Sequence, residues 1–340
     1  MKAIAAFAGL PADHPSALQD LVLADPVATG HDLLVEVHAV SVNPVDTKVR
    51  RGLPAEGQAE PRVLGFDASG IVRAVGPDVT LFQPGDRVWY AGAINRPGSN
   101  SELHLVDERI VGRMPASLGF AEAAALPLTA ITAWELLFDR LGLKQGGHAG
   151  EKLLVVGAAG GVGSILVQLA RQLTGITVIG TASRPETQAW VRDLGAQHVV
   201  DHSQPLDKAV QEAGLGEVDY AISLTQTHQH FEALVNVIKP QGKLALIDDP
   251  EPIDVRLLKR KCISLHWELM FTRPLYNTPD IQAQHDLLNA VSAMVDAGRI
   301  RTTLSQTFGT INAANLRRAH AFIESGKASG KVVLEGFEGR

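Results

Sequence analysis

Four glycines follow a short apolar run in the segment LLVVGAAGGVGSILVQLA (residues 153–170), and three of them, Gly157, Gly160 and Gly163, are spaced three residues apart. Small residues at such a turn let the backbone approach a pyrophosphate closely and let a helix pack tightly on its strand. Apolar residues then recur at helical spacing, so the turn opens a helix whose free N–H groups and positive dipole end suit phosphate. Because the turn follows a strand pattern and opens a helix, we predict a dinucleotide site, although packing alone would also explain a lone glycine motif.

The residues after the next predicted strand indicate which dinucleotide binds. Sites for NAD usually carry Asp or Glu there, about 20 residues past the turn, to bind the ribose 2′-hydroxyl. This chain has Thr181, Ala182 and Ser183, followed by Arg184. A guanidinium matches a 2′-phosphate in charge and geometry, and His202 is expected on the same side. We predict NADPH, held by Ser183, Arg184 and His202; the alternative for Arg184 is a solvated residue at a helix start.

Length and composition restrict the class of protein. At roughly 100–200 residues per domain, a chain of 340 residues suggests two domains. The net charge of −6 gives no reason to expect nucleic acid or an anionic membrane as a partner. The single cysteine, Cys262, excludes an intramolecular disulfide and a zinc site of several thiolates. No signal peptide and no run of ~18 apolar residues is evident, so we expect a cytoplasmic protein without a membrane span.

The motifs lie in two regions whose sequences predict different secondary structure. The first ~120 residues read as short strands separated by turns such as Pro84-Gly85-Asp86, which is typical of a β barrel or β-rich lobe. From Ser117 an alanine-rich helical segment leads into alternating β and α patterns, which indicate a parallel sheet with right-handed crossovers. The chain ends in a helix, a turn and a strand that we expect to return to the first lobe. The strand patterns of the alternating region are at 152–158, 176–182, 197–202, 218–224 and 243–248, with another possible at 264–271.

Several segments together resemble a known superfamily. They occur in the order seen in medium-chain dehydrogenases/reductases: AVSVNPVDTKVRRG, VLGFDASGIVRAVGPDV, PGDRVWYAG, AAALPLTAITAWELLF, GAAGGVGSILVQLARQLTG and GKVVLEG. Within it the chain resembles the quinone oxidoreductase branch, and more narrowly the proteins called zinc-type alcohol dehydrogenase-like. The resemblance implies an α/β fold with a GroES-like β-barrel catalytic domain (1–125 and 272–340) and a doubly wound Rossmann domain for NADPH (126–271). It also implies a homodimer and a nicotinamide held in a cleft.

The resemblance also implies residues that contact the cofactor. Matching positions place the pyrophosphate on the backbone of 159–162 and put other contacts at the ends of the fourth and fifth strands of the Rossmann sheet, where open α/β sheets bind ligands. The residues so implied are Asn43, Thr129, Gly157, Ala159, Gly160, Gly161, Val162, Gly163, Leu224, Thr225, Ile247, Asp248 and Lys331.

The family name implies zinc, but the corresponding positions lack zinc ligands. Metal-dependent relatives carry a Cys where this chain has Asn43, and a Gly-His-Glu motif where it has Gly65-Phe66-Asp67. Phenylalanine cannot ligate a metal, and Asn43 and Asp67 are weak ligands for an ion that prefers His and Cys. We therefore predict no zinc, and keep a zinc-dependent alcohol dehydrogenase with unusual ligands as an alternative.

Chemistry without a metal favours one class of substrate. Oxidation of a simple alcohol needs a group that stabilises alkoxide character. In reduction of a quinone or an α,β-unsaturated carbonyl, the charge spreads onto oxygen, so a few donors and one proton source suffice. The resemblance places Asn43, Asp46, Lys48 and Asp67 at the reacting centre, with Lys48 where relatives often have Tyr. Lys48 is thus a candidate proton donor or a solvent-facing lysine. A third hypothesis is an NADPH-binding protein with a structural or sensing role.

Overall fold

A computed structural model describes residues 1–338 of the chain. The residues form two compact units: Met1–Ile131 with the stretch that begins at Phe271, here called the first unit, and Thr132–Met270, the second unit. The first division falls later than the predicted 125/126 boundary, because the start of a helix at Pro127 belongs with the first unit. There the backbone N–H of Leu128 donates to Asp67 Oδ1 at 2.7 Å.

The N-terminal part of the first unit is mostly strands. Its long third strand alternates buried and half-buried residues up to His38 and is buried from Ala39 to Val42. The elements are β1 (Lys2–Ala6), β2 (Gln19–Val22), β3 (Asp32–Val42), α1 (Pro44–Arg51), β4 (Arg62–Val63), β5 (Asp67–Val75), β6 (Arg87–Tyr90), β7 (Leu103–Asp107), a 3-10 turn (Glu108–Ile110), β8 (Val111–Arg113), α2 (Phe120–Ala124) and α3 (Pro127–Trp134).

The second unit alternates strands with helices, as its sequence pattern predicted. A π-helical turn, Glu135–Arg140, continues α3 before the first of these strands. The elements are β9 (Lys152–Val156), α4 (Gly161–Leu173), β10 (Thr177–Thr181), α5 (Pro185–Asp193), β11 (His198–Val200), α6 (Leu206–Glu212), β12 (Val218–Ser223), α7 (Thr227–Val237), β13 (Ile238–Leu246), a 3-10 helix (Val255–Lys261) and β14 (Ser264–Trp267).

The C-terminal stretch completes the first unit. It contains α8 (Thr272–Tyr276), α9 (Ala283–Asp296), β15 (Leu304–Thr307), α10 (Ala313–Glu324) and β16 (Lys331–Glu335). The main sheet of this unit has the order β15-β16-β3-β5-β6-β8, with β7 also paired to β3. Because β16 runs antiparallel to β3, with Val332 opposite Val42, the last strand joins the N-terminal lobe.

The second unit is a Rossmann sheet. Its strands are parallel and have the order β11-β10-β9-β12-β13-β14, which is 3-2-1-4-5-6 in chain order. The central strand β9 is an apolar run that is buried from Leu153 to Val156, as expected for a strand covered on both faces. The predicted combination of a β-rich lobe with a Rossmann domain is therefore confirmed. The candidate strand at 264–271 was too long, since β14 ends at Trp267 and the Glu268 side chain turns inward to Arg140.

One stretch among residues 1–338 is long and apolar enough to cross a membrane, by length and composition alone. This stretch, Phe120–Arg140, contains a window of 18 residues with a mean hydropathy of 1.2, and 83% of that window is buried within the protein. Pro127 divides the stretch into separate helical segments. A buried core helix of a globular protein has the same composition.

Candidate functional site

Three polar residues of the first unit form a buried, hydrogen-bonded group, here called the Lys331 cluster (Asn43, Asp67 and Lys331). Lys331 Nζ donates to Asp67 Oδ2 at 3.0 Å and to Asn43 Oδ1, and it lies 3.4 Å from the carbonyl oxygen of Val42. Asn43 Nδ2 donates to the same Asp67 oxygen at 2.8 Å. The residues are 3%, 0% and 1% exposed for Lys331, Asp67 and Asn43. The cluster is thus a desolvated ion pair bridged by an amide.

Strand pairing explains how these residues meet. Asn43 follows β3, Asp67 begins β5 and Lys331 begins β16. Both β5 and β16 run antiparallel to β3, so their starting residues lie beside its final residues. The register places Asp67 opposite Ser41. The cluster therefore forms where the end of one strand meets the beginnings of its two neighbours.

Asp46 supports the cluster from the first turn of α1. Its Oδ2 accepts the backbone N–H of Asn43 at 2.7 Å, and its Oδ1 accepts that of Gly65 at 3.1 Å. Asn43 is the N-cap residue of α1, but its side chain is directed into the cluster. Burial raises the pKa of Asp46 to about 7, and the hydrogen bond from Asn43 and the charge of Lys331 oppose that rise. Through these two hydrogen bonds, Asp46 caps the start of α1 and orients the backbone of Asn43.

Lys48 lies elsewhere on α1 and is exposed to solvent. The sequence offered Lys48 as the reactive lysine and assigned Lys331 to the cofactor. In the structure, it is Lys331 that is buried beside Asn43 and Asp67. Neighbouring residues did not predict this, because Lys331 begins an apolar strand as many exposed lysines do, and its partners are 264 and 288 positions away.

Further contacts hold the cluster's surroundings in place. The backbone N–H of Leu128 and the hydroxyl of Ser99 donate to Asp67, at Oδ1 (2.7 Å) and at its carbonyl oxygen (3.2 Å). The fully buried guanidinium of Arg50 contacts His320 Nδ1 at 2.9 Å and Glu324 Oε1 at 2.6 Å. This clamp ties α1 to α10, the helix before β16.

The glycine turn of the second unit has the geometry that a phosphate-binding turn requires. Gly157 has φ of +79°, in the left-handed region that favours glycine. A Cβ on Gly163 would lie 2.5 Å from Ala158 Cα, so only glycine allows this packing of α4 against the turn. A Cβ on Gly160 would meet a single atom, Gly157 O, at 3.4 Å. The turn therefore leaves open space beside Gly160, where α4 begins at Gly161 and continues through Val162.

The predicted 2′-phosphate residues lie at the carboxyl end of β10 and β11. Thr181 ends β10; its Oγ1 accepts the backbone N–H of Gly157 at 3.1 Å and lies 3.0 Å from His202 Nδ1. Ser183 and Arg184 follow β10, with Arg184 as the N-cap residue of α5. The Arg184 side chain is 43% exposed, and its Nε lies 3.3 Å from Glu186 Oε1. His202 is thus brought to the glycine turn through Thr181, while Arg184 extends toward solvent.

The remaining predicted cofactor residues differ in the exposure and the hydrogen bonding of their side chains. Thr225 is exposed, and its Cγ2 lies 3.0 Å from the place of a Cβ on Gly157. Asp248 accepts the backbone N–H of Thr227 at 2.9 Å and also contacts its hydroxyl, so it caps α7. Thr129 Oγ1 donates to the carbonyl of Leu126 at 3.0 Å in the first unit. Leu224 and Ile247 follow β12 and β13, and Ala159 precedes the N-cap Gly160.

A buried acidic pair in the second unit had no indication in the sequence. Glu268 follows β14, and its Oε2 accepts from Arg140 Nε at 2.6 Å; Glu135 Oε2 lies 3.8 Å from the same guanidinium. Burial, together with the nearby charge of Glu135, raises the pKa of Glu268 to about 9. The pair joins the π-helical turn to the end of β14.

Comparison with known proteins shows that this two-unit fold belongs to a family of oxidoreductases. Residues 29–133 match the alcohol dehydrogenase GroES-like domain, and residues 194–334 match the zinc-binding dehydrogenase family. The zinc-type alcohol dehydrogenase-like protein of Staphylococcus aureus (strain MSSA476) is 41% identical over 312 residues, covering 91% of this chain and 92% of the relative. The chain belongs to the medium-chain dehydrogenase/reductase superfamily.

Solved structures agree with this assignment. A protein from Rhizobium etli CFN 42, provisionally described as a zinc-dependent alcohol dehydrogenase, is 58% identical with a TM-score of 0.95, covering 99% of this chain and 98% of that one. A mycobacterial protein in complex with NADPH is 26% identical, with a TM-score of 0.83 and coverage of 98% and 99%. The quinone oxidoreductase of Coxiella burnetii is also 26% identical, with a TM-score of 0.79 and the same coverage.

Zinc appears in several of these names, but the Lys331 cluster does not fit a zinc ion. Asn43 and Asp67 already bind an ammonium, and Phe66 is 2% exposed with its ring centroid 5.0 Å from that of Phe271. Zinc sites use three or four His, Cys or carboxylate ligands. Within residues 1–338, no group of three or more His, Cys, Asp or Glu side chains is arranged to hold a metal ion.

Proposed function

We propose that the protein is an NADPH-dependent reductase of quinones or α,β-unsaturated carbonyl compounds and that it works without zinc. The observation that carries the proposal is the Lys331 cluster, in which an ammonium rather than a set of zinc ligands lies beside Asp67. A substrate whose negative charge spreads onto oxygen needs hydrogen-bond donors and a proton, both of which side chains supply. The likeness to a quinone oxidoreductase supports the same class of substrate.

The second unit supplies the cofactor site in this proposal. NADPH, when bound, supplies the hydride that the reduction consumes. The open side of Gly160 and the first backbone N–H groups of α4 hold its pyrophosphate. Ser183, Arg184 and His202 hold its 2′-phosphate, and no acid stands at 181–183 to favour a 2′-hydroxyl instead. The mycobacterial relative solved with NADPH supports this choice.

Two lysines of the first unit have different roles. Lys48 is exposed, so it exchanges protons with water, and it serves as the proton donor. Lys331 is buried and its N–H groups point at protein oxygens, which suits it to fixing charge rather than to releasing a proton. Asn43, Asp46 and Asp67 orient the segment that carries Lys48.

A substrate panel tests the proposal. Oxidation of NADPH is followed by its absorbance with a quinone, a 2-alkenal and a simple ketone, and NADH is the cofactor control. We expect turnover with the quinone or the alkenal, little with the ketone, and a preference for NADPH. Turnover confined to the ketone would instead favour the alcohol dehydrogenase alternative. Tight NADPH binding without turnover of any compound would favour a sensing role.

We also propose that the chain forms a homodimer in the cytoplasm. β14 is at the edge of the Rossmann sheet, and its end exposes apolar surface at Trp267 (54%) and Leu269 (51%). Pairing of two such edges would cover these side chains. Sedimentation of the wild type and of Trp267→Glu tests this proposal, which a monomeric wild type would contradict.

A further inference from the structure

We infer that the ammonium of Lys331 is a built-in cation that takes the electrostatic place of a metal ion in this site, excludes zinc from it, and holds Asn43 and Asp67 in position. This inference deepens the proposed function, because it identifies a positioning residue for the zinc-free reaction. It rests on the contacts within the first unit, which exist whether or not the proposed substrates are correct.

The charges in the cluster require a cation at this point. Asp67 is fully buried, and an ionised carboxylate in that environment is costly unless it is paired and hydrogen-bonded. Lys331 Nζ lies 3.0 Å from it, and the Asp46 carboxyl belongs to the same buried region. Removing the ammonium would leave two buried acids without their positive partner.

The oxygen atoms around the ammonium resemble the surroundings of a bound cation. A lysine ammonium has three donors, and three oxygens from three residues face this one: Asp67 Oδ2, Asn43 Oδ1 and the carbonyl of Val42. A zinc ion would have to displace the ammonium and would then find oxygen ligands in place of the His and Cys that it prefers. Phe66, beside Asp67 in the chain, adds only an apolar ring.

The ammonium also determines how the Asn43 amide is oriented. Asn43 Oδ1 faces Lys331 and Asn43 Nδ2 faces Asp67, and the reversed amide would place two N–H donors against the ammonium and an oxygen against the carboxylate. Asn43 is the N-cap residue of α1, the helix that carries Lys48. Lys331 therefore acts on the reactive segment through Asn43, as a positioning residue.

Replacing Lys331 by alanine tests this inference. The change removes three methylenes and the ammonium and leaves a cavity of that shape. Propylammonium has three carbons and an ammonium, so it should fill the cavity. We expect K331A to melt about 10 °C lower than the wild type, as the loss of one partner of a buried ion pair implies. Propylammonium should restore both the melting temperature and kcat, whereas tetramethylammonium at equal ionic strength should restore neither. K327A, at an exposed lysine of the same unit, should have the melting temperature and kcat of the wild type, and propylammonium should change neither.

A charge-neutral pair of variants keeps the inference testable if K331A does not fold. K331M alone leaves the Asp67 carboxylate without its partner, whereas K331M/D67N removes both charges. We expect the double variant to melt at a higher temperature than K331M, which is the coupling that a buried ion pair produces. Equal melting temperatures of the wild type and K331M, or a double variant no more stable than K331M, would overturn the inference.

Zinc content gives a readout that does not depend on activity. Wild-type protein dialysed against zinc and then against buffer should retain well under one ion per chain, measured by elemental analysis. One tightly held ion per chain that is lost on replacing Asp67 by Ala would overturn the inference, even if the reductase activity is as proposed. A different pair of results would overturn only the proposed function. In that case the wild type does not turn over quinones or enones, but propylammonium still raises the melting temperature of K331A.

Discussion

Lys331 Nζ lies 3.0 Å from Asp67 Oδ2, although the two residues are 264 positions apart in the chain. They meet because β3 pairs with both β5 and β16, so that the first residues of these two strands flank Asn43. Lys331 also donates to Asn43 Oδ1, and Asn43 is the N-cap residue of the helix that carries Lys48. Lys331 gives the first unit a buried cation that is part of the polypeptide, and the proposed zinc-free reaction depends on this cation.

Two glycine substitutions separate cofactor binding from folding. Gly160→Ala adds a methyl group that meets only Gly157 O at 3.4 Å, at φ of −72°, so the melting temperature should change little. The methyl group would occupy the space assigned to the pyrophosphate, so NADPH affinity should fall by at least ~10-fold, about 1.4 kcal/mol. Gly163→Ala is the contrasting variant, because its methyl group would lie 2.5 Å from Ala158 Cα and should destabilise the fold by roughly 1–3 kcal/mol. Calorimetric melting and NADPH titration measure both effects, and an unstable G160A with normal affinity would contradict the assignment.

Arg184→Ala should discriminate between the two nicotinamide cofactors. Loss of charge-assisted hydrogen bonds to the 2′-phosphate should weaken NADPH binding by about 10- to 100-fold. Binding of NADH, which lacks this phosphate, should not change. Glu186→Gln provides the opposite control, since it removes the acid 3.3 Å from Arg184 Nε and should leave NADPH binding as strong or stronger. Equal weakening of both cofactors in R184A would show that Arg184 has no role at the 2′-phosphate.

Lys48→Met tests the proposed proton donor. The exposed side chain makes a structural effect small, so the melting temperature and NADPH affinity should stay near those of the wild type. If Lys48 protonates the reduced substrate, kcat should fall by about 100-fold or more. Lys327→Met, at another exposed lysine of the first unit, is the matched control. An unchanged kcat in K48M would assign the proton to water or to another group.

Buried His320 makes the fold sensitive to acid. Burial, assisted by the charge of Arg50, lowers the pKa of His320 to about 3, below its ordinary value of 6.5. Between those two values the unfolded chain binds more protons than the folded one, so stability is lost as pH falls from about 6.5 toward 3. At pH 4 the loss amounts to roughly 3 kcal/mol.

Denaturant unfolding at pH 7 and at pH 4 measures this effect. In His320→Asn the difference between the two pH values should be smaller than in the wild type. It should not vanish, because burial also lowers the pKa of His104, to about 4. His198→Asn, at an exposed position, is the control and should retain the full difference. An H320N protein as acid-sensitive as the wild type would contradict the prediction.

The sequence predicted the parts of this structure that depend on local pattern. The alternation of strand and helix patterns predicted the parallel sheet of the second unit. The glycine spacing predicted a tight turn, and in the structure this turn requires glycine at positions 157 and 163. Phe66 stands where metal-dependent relatives carry a histidine, and the prediction that no zinc binds comes from this position. Each of these features depends only on residues that are close together in the sequence.

The Lys331 cluster could not be predicted in the same way. Lys48 and Lys331 are the same residue type, and the neighbouring residues of each in the sequence are compatible with a lysine on the surface. Only the pairing of β16 with β3 shows which lysine is buried, and that pairing joins residues nearly 300 positions apart. The length of β14 was likewise set by distant contacts, because Glu268 turns toward Arg140 after Trp267.

The most direct test of the proposed zinc-free reaction compares the rate of NADPH oxidation before and after zinc is supplied. Protein stripped with a chelator and shown to be zinc-free is assayed for NADPH oxidation with a 2-alkenal or a quinone, then assayed again with one equivalent of zinc. We predict substantial turnover in the stripped protein and no increase on adding zinc. A stripped protein that is inactive and regains turnover with zinc would contradict the account.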